Sequence, residues 1–230
     1  MANLNGSLNL AALDARLVDS LRDSSVAIST RYMYLQDAYS RIWYKHPWAF
    51  THQIATFTAS AGSNDYTVDG QINEIAAIFN YSQQKSIVMN KGIYMYFDSY
   101  HDDSHSGPLY NLVDIYEDGQ NTHVMFQETP SGLGMGHGDT IQIYHCRHII
   151  HNVSAGTSAT GNMTSADDVP GFAPQYHAII AKEALMEAVK NKRDFQEMYQ
   201  LAKSERDEML FDMKRHYLTP RRNNTMRIYR

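Results

Sequence analysis

The strongest pattern in this chain is an apolar periodicity of about 3.6 residues that runs from Pro174 to Tyr217. It predicts two helices in tandem, because apolar residues at three- and four-residue steps line one face of an α-helix. Proline suits the first helical position, so the first helix is predicted from Pro174 to about Val189. The second is predicted from near Asp194 to Tyr217, a rod of roughly 36 Å. Its apolar positions are Phe195, Met198, Tyr199, Ala202, Met209, Leu210, Met213 and Tyr217.

Two features of this helical pair depart from a simple amphipathic pattern. Ile179 and Met186 lie about two turns apart, within the polar arc of the first helix. Either that helix is nearly surrounded by its own chain, or it has a second apolar neighbour. In the second helix, the polar residues 204–208 interrupt the apolar stripe, which indicates a segment that is solvated or lines a lumen.

Residues 1–50 predict another pair of helices. Leucines 10, 13, 17 and 21 predict a helix from Asn9 to about Leu21. Residues 23–25 offer an N-cap for a second helix, which ends near His46 because Pro47 cannot continue it. Its apolar stripe consists of Ile28, Tyr32, Leu35, Tyr39 and Ile42. Where it ends, the aromatic residues Trp43, Trp48 and Phe50 are predicted to pack together.

Between residues 51 and 148 the apolar period changes to two, which is typical of β-strands. Asp118-Gly119 separates two alternating runs, 109–116 and 122–127, and therefore predicts a hairpin. We expect an α+β fold in which residues 1–50 and 167–217 form a helical bundle. Residues 51–166 are predicted to form an inserted antiparallel β-sandwich or partly open barrel, within which residues 152–166 read as a linker.

Charge is distributed unevenly along the chain. The formal net charge is −5, yet residues 218–230 carry four arginines and no acid, so the rest is more acidic still. An acidic body argues against gripping nucleic acid by phosphate neutralisation. We expect no disulfide, since Cys146 is the single cysteine, and no membrane segment, since about 18 consecutive apolar residues occur nowhere.

No pattern in the sequence predicts an active site. His145, His148 and His151, with His101 and His105 further upstream, suggest a metal site. However, His145 and His148 would point to opposite faces of a strand, so solvated edge or loop histidines are the preferred interpretation. The glycine-rich loop 131–138 lacks the lysine and the following helix of a phosphate loop. We therefore expect no catalytic residues, no cofactor and no metal.

Several local sequences, taken in this order, resemble those of one family. They are Arg41-Ile42-Trp43 with Pro47-Trp48-Ala49-Phe50, Ala61-Gly62 with Tyr66, Gly107-Pro108-Leu109-Tyr110, Ile141 with Ile143-Tyr144, Asp168-Val169-Pro170 with Phe172, and Gln175 to Ile180. The chain, over about residues 10–217, resembles the bacteriophage head-to-tail adaptor proteins, which form the connector or gatekeeper ring of tailed phages. It departs from them at Val68-Asp69, where Leu-Pro is common, and in loop 129–138, which has one proline where two are usual.

The resemblance implies a structural virion protein and not an enzyme. Such a protein forms a homo-oligomeric ring, usually of twelve copies, beneath the portal protein, and is found in the virion neck after assembly in the host cytoplasm. It holds the downstream tail protein, which is a nozzle, stopper or tail tube, while genomic DNA passes non-specifically through its lumen. Two alternatives stay open: a β-rich binding module of a tail or fibre assembly, and a metalloenzyme that uses His145 to His151.

On this resemblance, three sets of residues are assigned to contacts. Ile179 and Met186 are expected to face a neighbouring subunit. The tail-side loops, expected on one rim of the β module, are represented by Asp118, Gly119, Gly132, Leu133, Gly134, Met135 and Gly136. Residues 218–230 are expected to form an extended arm that docks on the portal through Arg221, Arg222, Met226, Arg227, Ile228, Tyr229 and Arg230.

Overall fold

The computed structural model describes residues 6–22, 25–60, 62–68, 72–87, 113–117, 122–126, 136–153 and 157–218, with only the backbone for 113–117. The chain divides into two compact units. The first, the helical unit, combines residues 1–50 with 149–230, and the second, the β unit, comprises residues 51–148. The fold is therefore mixed α+β, as the sequence predicts.

The described residues of the helical unit contain four helices, and the periodicity predicts all four. They are α1 (Leu10–Leu21), α2 (Ile28–Tyr44), α3 (Ala178–Val189) and α4 (Gln196–Tyr217). The Asn9 side chain caps α1 by accepting a hydrogen bond from the Ala12 amide at 2.9 Å. Short 3₁₀ turns, Pro174–Tyr176 and Arg193–Phe195, precede α3 and α4, so each of these helices begins slightly later than predicted.

Helix α3 is the central element of the helical unit, because it packs against α1, α2 and α4. The aromatic boundary predicted after α2 is confirmed: the Phe50 ring lies 5.2 Å from that of Trp43 and 6.0 Å from that of Trp48. The same cluster includes Tyr217 at the end of α4, 4.7 Å from Phe50. Aromatic side chains from both ends of the chain thus close one core.

A small antiparallel sheet completes the helical unit. It contains β8 (Ile150–Asn152), β9 (Ser158–Thr160) and β10 (Val169–Pro170), in the order β10-β8-β9. Ile150 and Met163 are buried in the helical core. The polar composition of residues 152–166 hides the contribution of Met163, which is why the sequence predicts a linker there. The unit boundary consequently lies at 148/149 and not at 166/167.

The β unit contains two antiparallel sheets in its described residues, and neither is closed into a barrel. One has the order β1-β7-β3-β4, with β1 (His52–Thr58), β7 (Thr140–Arg147), β3 (Ile72–Asn80) and β4 (Lys85–Ile87). The other has the order β2-β6-β5, with β2 (Asp65–Val68), β6 (Thr122–Phe126) and β5 (Val113–Glu117). The pairing of β5 with β6 confirms the predicted hairpin. Side chains from both sheets form one hydrophobic cluster.

Candidate interaction surfaces

Most residues assigned to docking lie outside the described part of the chain. This holds for the seven arm residues, Arg221, Arg222, Met226, Arg227, Ile228, Tyr229 and Arg230. It also holds for Asp118, Gly119, Gly132, Leu133, Gly134 and Met135 of the tail-side loops. Of the assigned set, the structure places Gly136, Ile179 and Met186.

Gly136 belongs to a well-connected turn just before β7. Its amide donates a hydrogen bond to the Asp139 carboxylate at 2.6 Å. The same carboxylate accepts hydrogen bonds from the Asn80 side chain at 2.8 Å and the Gln83 side chain at 2.6 Å. These bonds, that from Asn80 above all, hold the pKa of Asp139 below its usual value. The last part of the glycine-rich loop is therefore attached to the turn between β3 and β4.

The two predicted tail-side loops join the β unit at opposite ends of β6. The strand begins at Thr122, directly after residues 118–121, and the Ile72 amide at the start of β3 approaches the Thr122 hydroxyl at 3.4 Å. The strand ends at Phe126, before the glycine-rich loop, where the Phe126 amide donates to the Asn64 carbonyl at 2.7 Å. Gly136, where that loop is next described, lies beside the far end of β3 through the Asp139 turn. The described residues that flank the two loops therefore lie at opposite ends of β6, while residues 118–121 and 127–135 lie outside the described ranges, so the shared rim stays a prediction.

The assignment of Ile179 and Met186 to a contact between subunits also requires correction. Ile179 is fully buried and Met186 is 8% exposed, and both belong to the core of their own chain. The other interpretation of the pattern, a helix nearly surrounded by its own chain, is confirmed by the packing of α1, α2 and α4 around α3.

Ion pairs explain why the polar arc of α3 is covered. Glu183 pairs with Arg206 of α4 at 2.8 Å, and both side chains are largely buried. Lys182 pairs with Glu205, also on α4. Glu187, also on α3, forms an ion pair with Arg41 of α2 at 2.8 Å. Two of the polar residues that interrupt the α4 stripe thus pair with α3: Arg206 is largely buried there, whereas the Glu205 side chain stays 41% exposed.

The segment 161–171 is a structural anchor that the sequence did not predict. The Asp168 carboxylate accepts hydrogen bonds from the amides of Thr164 and Ser165, each at 2.7 Å. The backbone carbonyl of Asp168 accepts a hydrogen bond from the Leu10 amide at 2.8 Å, which satisfies a free donor at the start of α1. Further along, the Gly171 amide donates to the Tyr39 hydroxyl at 2.8 Å. The one available signal was Asp168 itself, because aspartate commonly accepts local backbone hydrogen bonds.

Each histidine considered for a metal site has its own environment. The expectation that these histidines are solvated is wrong for His145 and His151. His145 is buried in the β unit, and burial lowers the pKa of its imidazole. His151 is buried in the helical unit, where Nδ1 lies 3.0 Å from the Gly161 carbonyl and Nε2 lies 3.5 Å from Asp168. Within the ranges that the structure describes, no three His, Cys, Asp or Glu side chains are grouped to hold a metal ion. His101 and His105 lie outside those ranges.

Two depressions on the helical unit involve α4. One, of about 650 Å³, is lined by residues such as Tyr176, Met209 and His216. A second, of about 390 Å³, lies between α1, α3 and α4, with Leu185 and Leu201 among its apolar residues and Lys182 and Glu197 among its charged ones.

Sequence comparisons give no further guide. No model of a known protein family matches the chain, and a search of characterised proteins finds no match. None of the helices in the described ranges is both long and apolar enough to cross a membrane.

Proposed function

We propose that this protein is a non-enzymatic structural component of a phage virion, a head-to-tail adaptor. In this proposal about twelve copies form a ring under the portal, hold the downstream nozzle, stopper or tail tube, and let genomic DNA pass through the lumen. The protein would reside in the neck of the virion after assembly in the host cytoplasm.

One observation supports the proposal above the others: a helical unit built from both ends of the chain carries a separately cored β unit in the middle. The chain leaves the helical unit at 50/51 and returns at 148/149. An adaptor needs two attachment regions, one for each neighbour in the neck, and an inserted unit with its own core supplies the second. In detail, we propose that the four helices form a bundle and that the two sheets of the β unit form a sandwich.

Charge gives the proposal a physical rationale. The net charge of the chain is −5, and residues 218–230 contribute four arginines and no acid. The remaining residues therefore form an acidic body. DNA repels such a surface and would slide along it without being held. The arginine-containing segment instead suits an acidic site on the portal, with Ile228 and Tyr229 as apolar contacts.

The test uses the purified full-length chain with and without the portal protein of the same phage. Light scattering coupled to size-exclusion chromatography measures the mass, and negative-stain electron microscopy shows whether a ring is added to one face of the portal. A ring of added density on the portal supports the proposal. Binding to a fibre or receptor protein, with no binding to the portal, would favour the binding-module alternative instead.

A further inference from the structure

Helix α4 carries a line of exposed side chains on the side opposite its buried face. Its members, spaced by three or four residues, are Glu197, Leu201, Ser204, Glu208, Phe211 and Arg215. We refer to them as the α4 outer stripe. Leu201 and Phe211 are 62% and 61% exposed, while Ala202, Leu210 and Met213 are buried in the core. Two large apolar side chains thus face solvent on a helix whose core contacts are already made.

The outer stripe is symmetric about the middle of the helix. Glu197 and Arg215 lie equally far from Arg206, one toward each end, and so do Leu201 and Phe211. When the direction of the helix is reversed, Glu197 takes the position of Arg215, and Leu201 takes the position of Phe211. A sequence with this property is complementary to an antiparallel copy of itself.

We infer that the α4 outer stripe is a self-association surface, on which a second copy of this chain packs its own α4 in antiparallel orientation. Glu197 of each copy then faces Arg215 of the other, and Leu201 of each copy packs on Phe211 of the other. The Arg215 guanidinium already lies 5.9 Å from the centre of the Phe211 ring, so it covers the apolar contact while it meets the facing carboxylate. In the described part of the chain, neither Glu197 nor Arg215 has an ion-pair partner.

One pair of residues opposes this contact. Glu208 lies close to the centre of the stripe, so the two copies of Glu208 would approach to roughly 6 Å along the axis. Each faces Ser204, which can donate only one hydrogen bond. A single helix pair is also smaller than an interface of standard size, about 1,600 Å². We therefore expect a dissociation constant above about 1 μM.

The inferred contact concerns the free protein and goes beyond the proposed function. A two-fold contact closes on two copies, so it cannot propagate around a ring of about twelve. In the free protein it would cover Leu201 and Phe211, the large apolar side chains of α4 that face solvent. If this dimer is not found, the proposed binding to the portal is still open to its own test. If the protein does not bind the portal, the dimer inference is likewise not affected.

The test is sedimentation equilibrium of the full-length protein over roughly 5 to 500 μM at about 0.1 M salt. Glu197→Arg and Arg215→Glu should each raise the dimer dissociation constant by about tenfold or more, because each creates two like-charge contacts per dimer. The double variant exchanges the charges and should restore the affinity of the original protein. Glu208→Gln should strengthen the dimer several-fold. Lys203→Glu, an exposed change off the stripe, has the same effect on net charge as Arg215→Glu and should leave the constant within about twofold.

Circular dichroism melting confirms that each variant remains folded. A protein that stays monomeric across the whole concentration range overturns the inference. So does a dimer that the single charge reversals do not weaken, or one that the double exchange does not restore. Assembly to species larger than a dimer would show a contact that propagates, which the antiparallel arrangement forbids.

Discussion

The Arg31 guanidinium and the Asp14 carboxylate form two parallel hydrogen bonds, at 2.7 and 2.9 Å, between α2 and α1. Only 12% and 11% of these side chains are exposed. Arg31 also donates to the Val26 carbonyl before α2, and the bond to Asp14 is the main cause that raises its pKa. A paired charge at this depth fixes the register of two helices that otherwise meet through leucines.

Asp14→Ala should lower the free energy of unfolding by about 3 kcal/mol, since Arg31 would be left buried without its partner. The matched control is Asp19→Ala on the same helix, where the side chain is exposed; we expect a change within about 0.5 kcal/mol. Urea denaturation of both variants measures the difference. Equal effects would show that the pair contributes no more than a surface charge.

Ile179→Ala should destabilise the protein by about 2–5 kcal/mol, because it leaves a cavity in a fully buried site. Ile28→Ala removes the same atoms from a side chain that is 56% exposed and should cost far less. Thermal and urea unfolding distinguish the two. A stable Ile179→Ala variant that failed only to assemble would restore the subunit-contact assignment that the structure contradicts.

The burial of Ile179 shows what an apolar periodicity cannot predict. Leu10, Leu13, Leu17 and Leu21 predict α1 because its polar side is solvated, so the periodicity reports burial directly. In α3 the polar side is covered by ion pairs to α2 and α4, as between Glu183 and Arg206. A charged residue paired across a helix contact is indistinguishable in sequence from one that faces water. The periodicity therefore placed Ile179 within a polar arc and left open whether that arc was surrounded by the same chain or by a second apolar neighbour.

The sequence also does not reveal the long-range contacts of Met163 and Gly171. The segment 161–171 begins and ends with glycine and contains five polar residues, yet Met163 is fully buried and Gly171 lies against Ile150. A Cβ on Gly171 would come within 2.9 Å of the Ile150 carbonyl oxygen. Close approaches of this kind depend on where β8 runs, which no local pattern encodes. The helices, the β5–β6 hairpin and the aromatic boundary were predictable because each depends on neighbouring residues.

Tyr39→Phe should cost about 1–3 kcal/mol of unfolding free energy. The Tyr39 hydroxyl donates to the Ile150 carbonyl and accepts from the Gly171 amide, and both backbone groups would lose their partner in a buried site. Tyr34→Phe on the same helix, where the side chain is only partly buried, is the control and should change stability by less than about 0.5 kcal/mol. Similar losses in the two variants would contradict this role of the hydroxyl.

Lowering the pH from about 7.5 to 5 should destabilise the helical unit through His177. This side chain is fully buried, with Nδ1 accepting from the Leu8 amide at 3.0 Å and Nε2 donating to the Phe172 carbonyl at 2.8 Å. Burial lowers the pKa of His177 in the folded state, so the unfolded chain binds the proton more readily. The stabilisation is complete above the unfolded value of about 6.5 and is lost as the pH falls toward the folded value.

Urea titrations at several pH values measure this slope, and His177→Gln is the variant to compare. It removes the titrating group, so its unfolding free energy should fall less steeply over the same range, although its stability at pH 7.5 should be lower. Burial also lowers the pKa of His46 and His145, so some pH dependence should persist in the variant. An unchanged slope would exclude His177 as a contributor.

Truncation after Tyr217 should weaken binding to the portal without affecting the fold. Residues 218–230 follow α4 and contain four arginines, with Ile228 and Tyr229 near the end. Under the proposed function, these arginines meet carboxylates of the portal and the apolar residues fill adjacent sites, so affinity should depend on both kinds of contact.

Replacing the four arginines by glutamine should reduce the affinity most at about 0.05 M salt and less at about 0.5 M, where screening already weakens the charges. Ile228→Ser with Tyr229→Ser should reduce it by a similar factor at both concentrations. Surface plasmon resonance on immobilised portal measures each variant, and unchanged melting temperatures serve as the folding control. If the truncated chain joins portals as well as the full chain at about 0.15 M salt, the arm is not the anchor, and the portal contact must lie within residues 1–217.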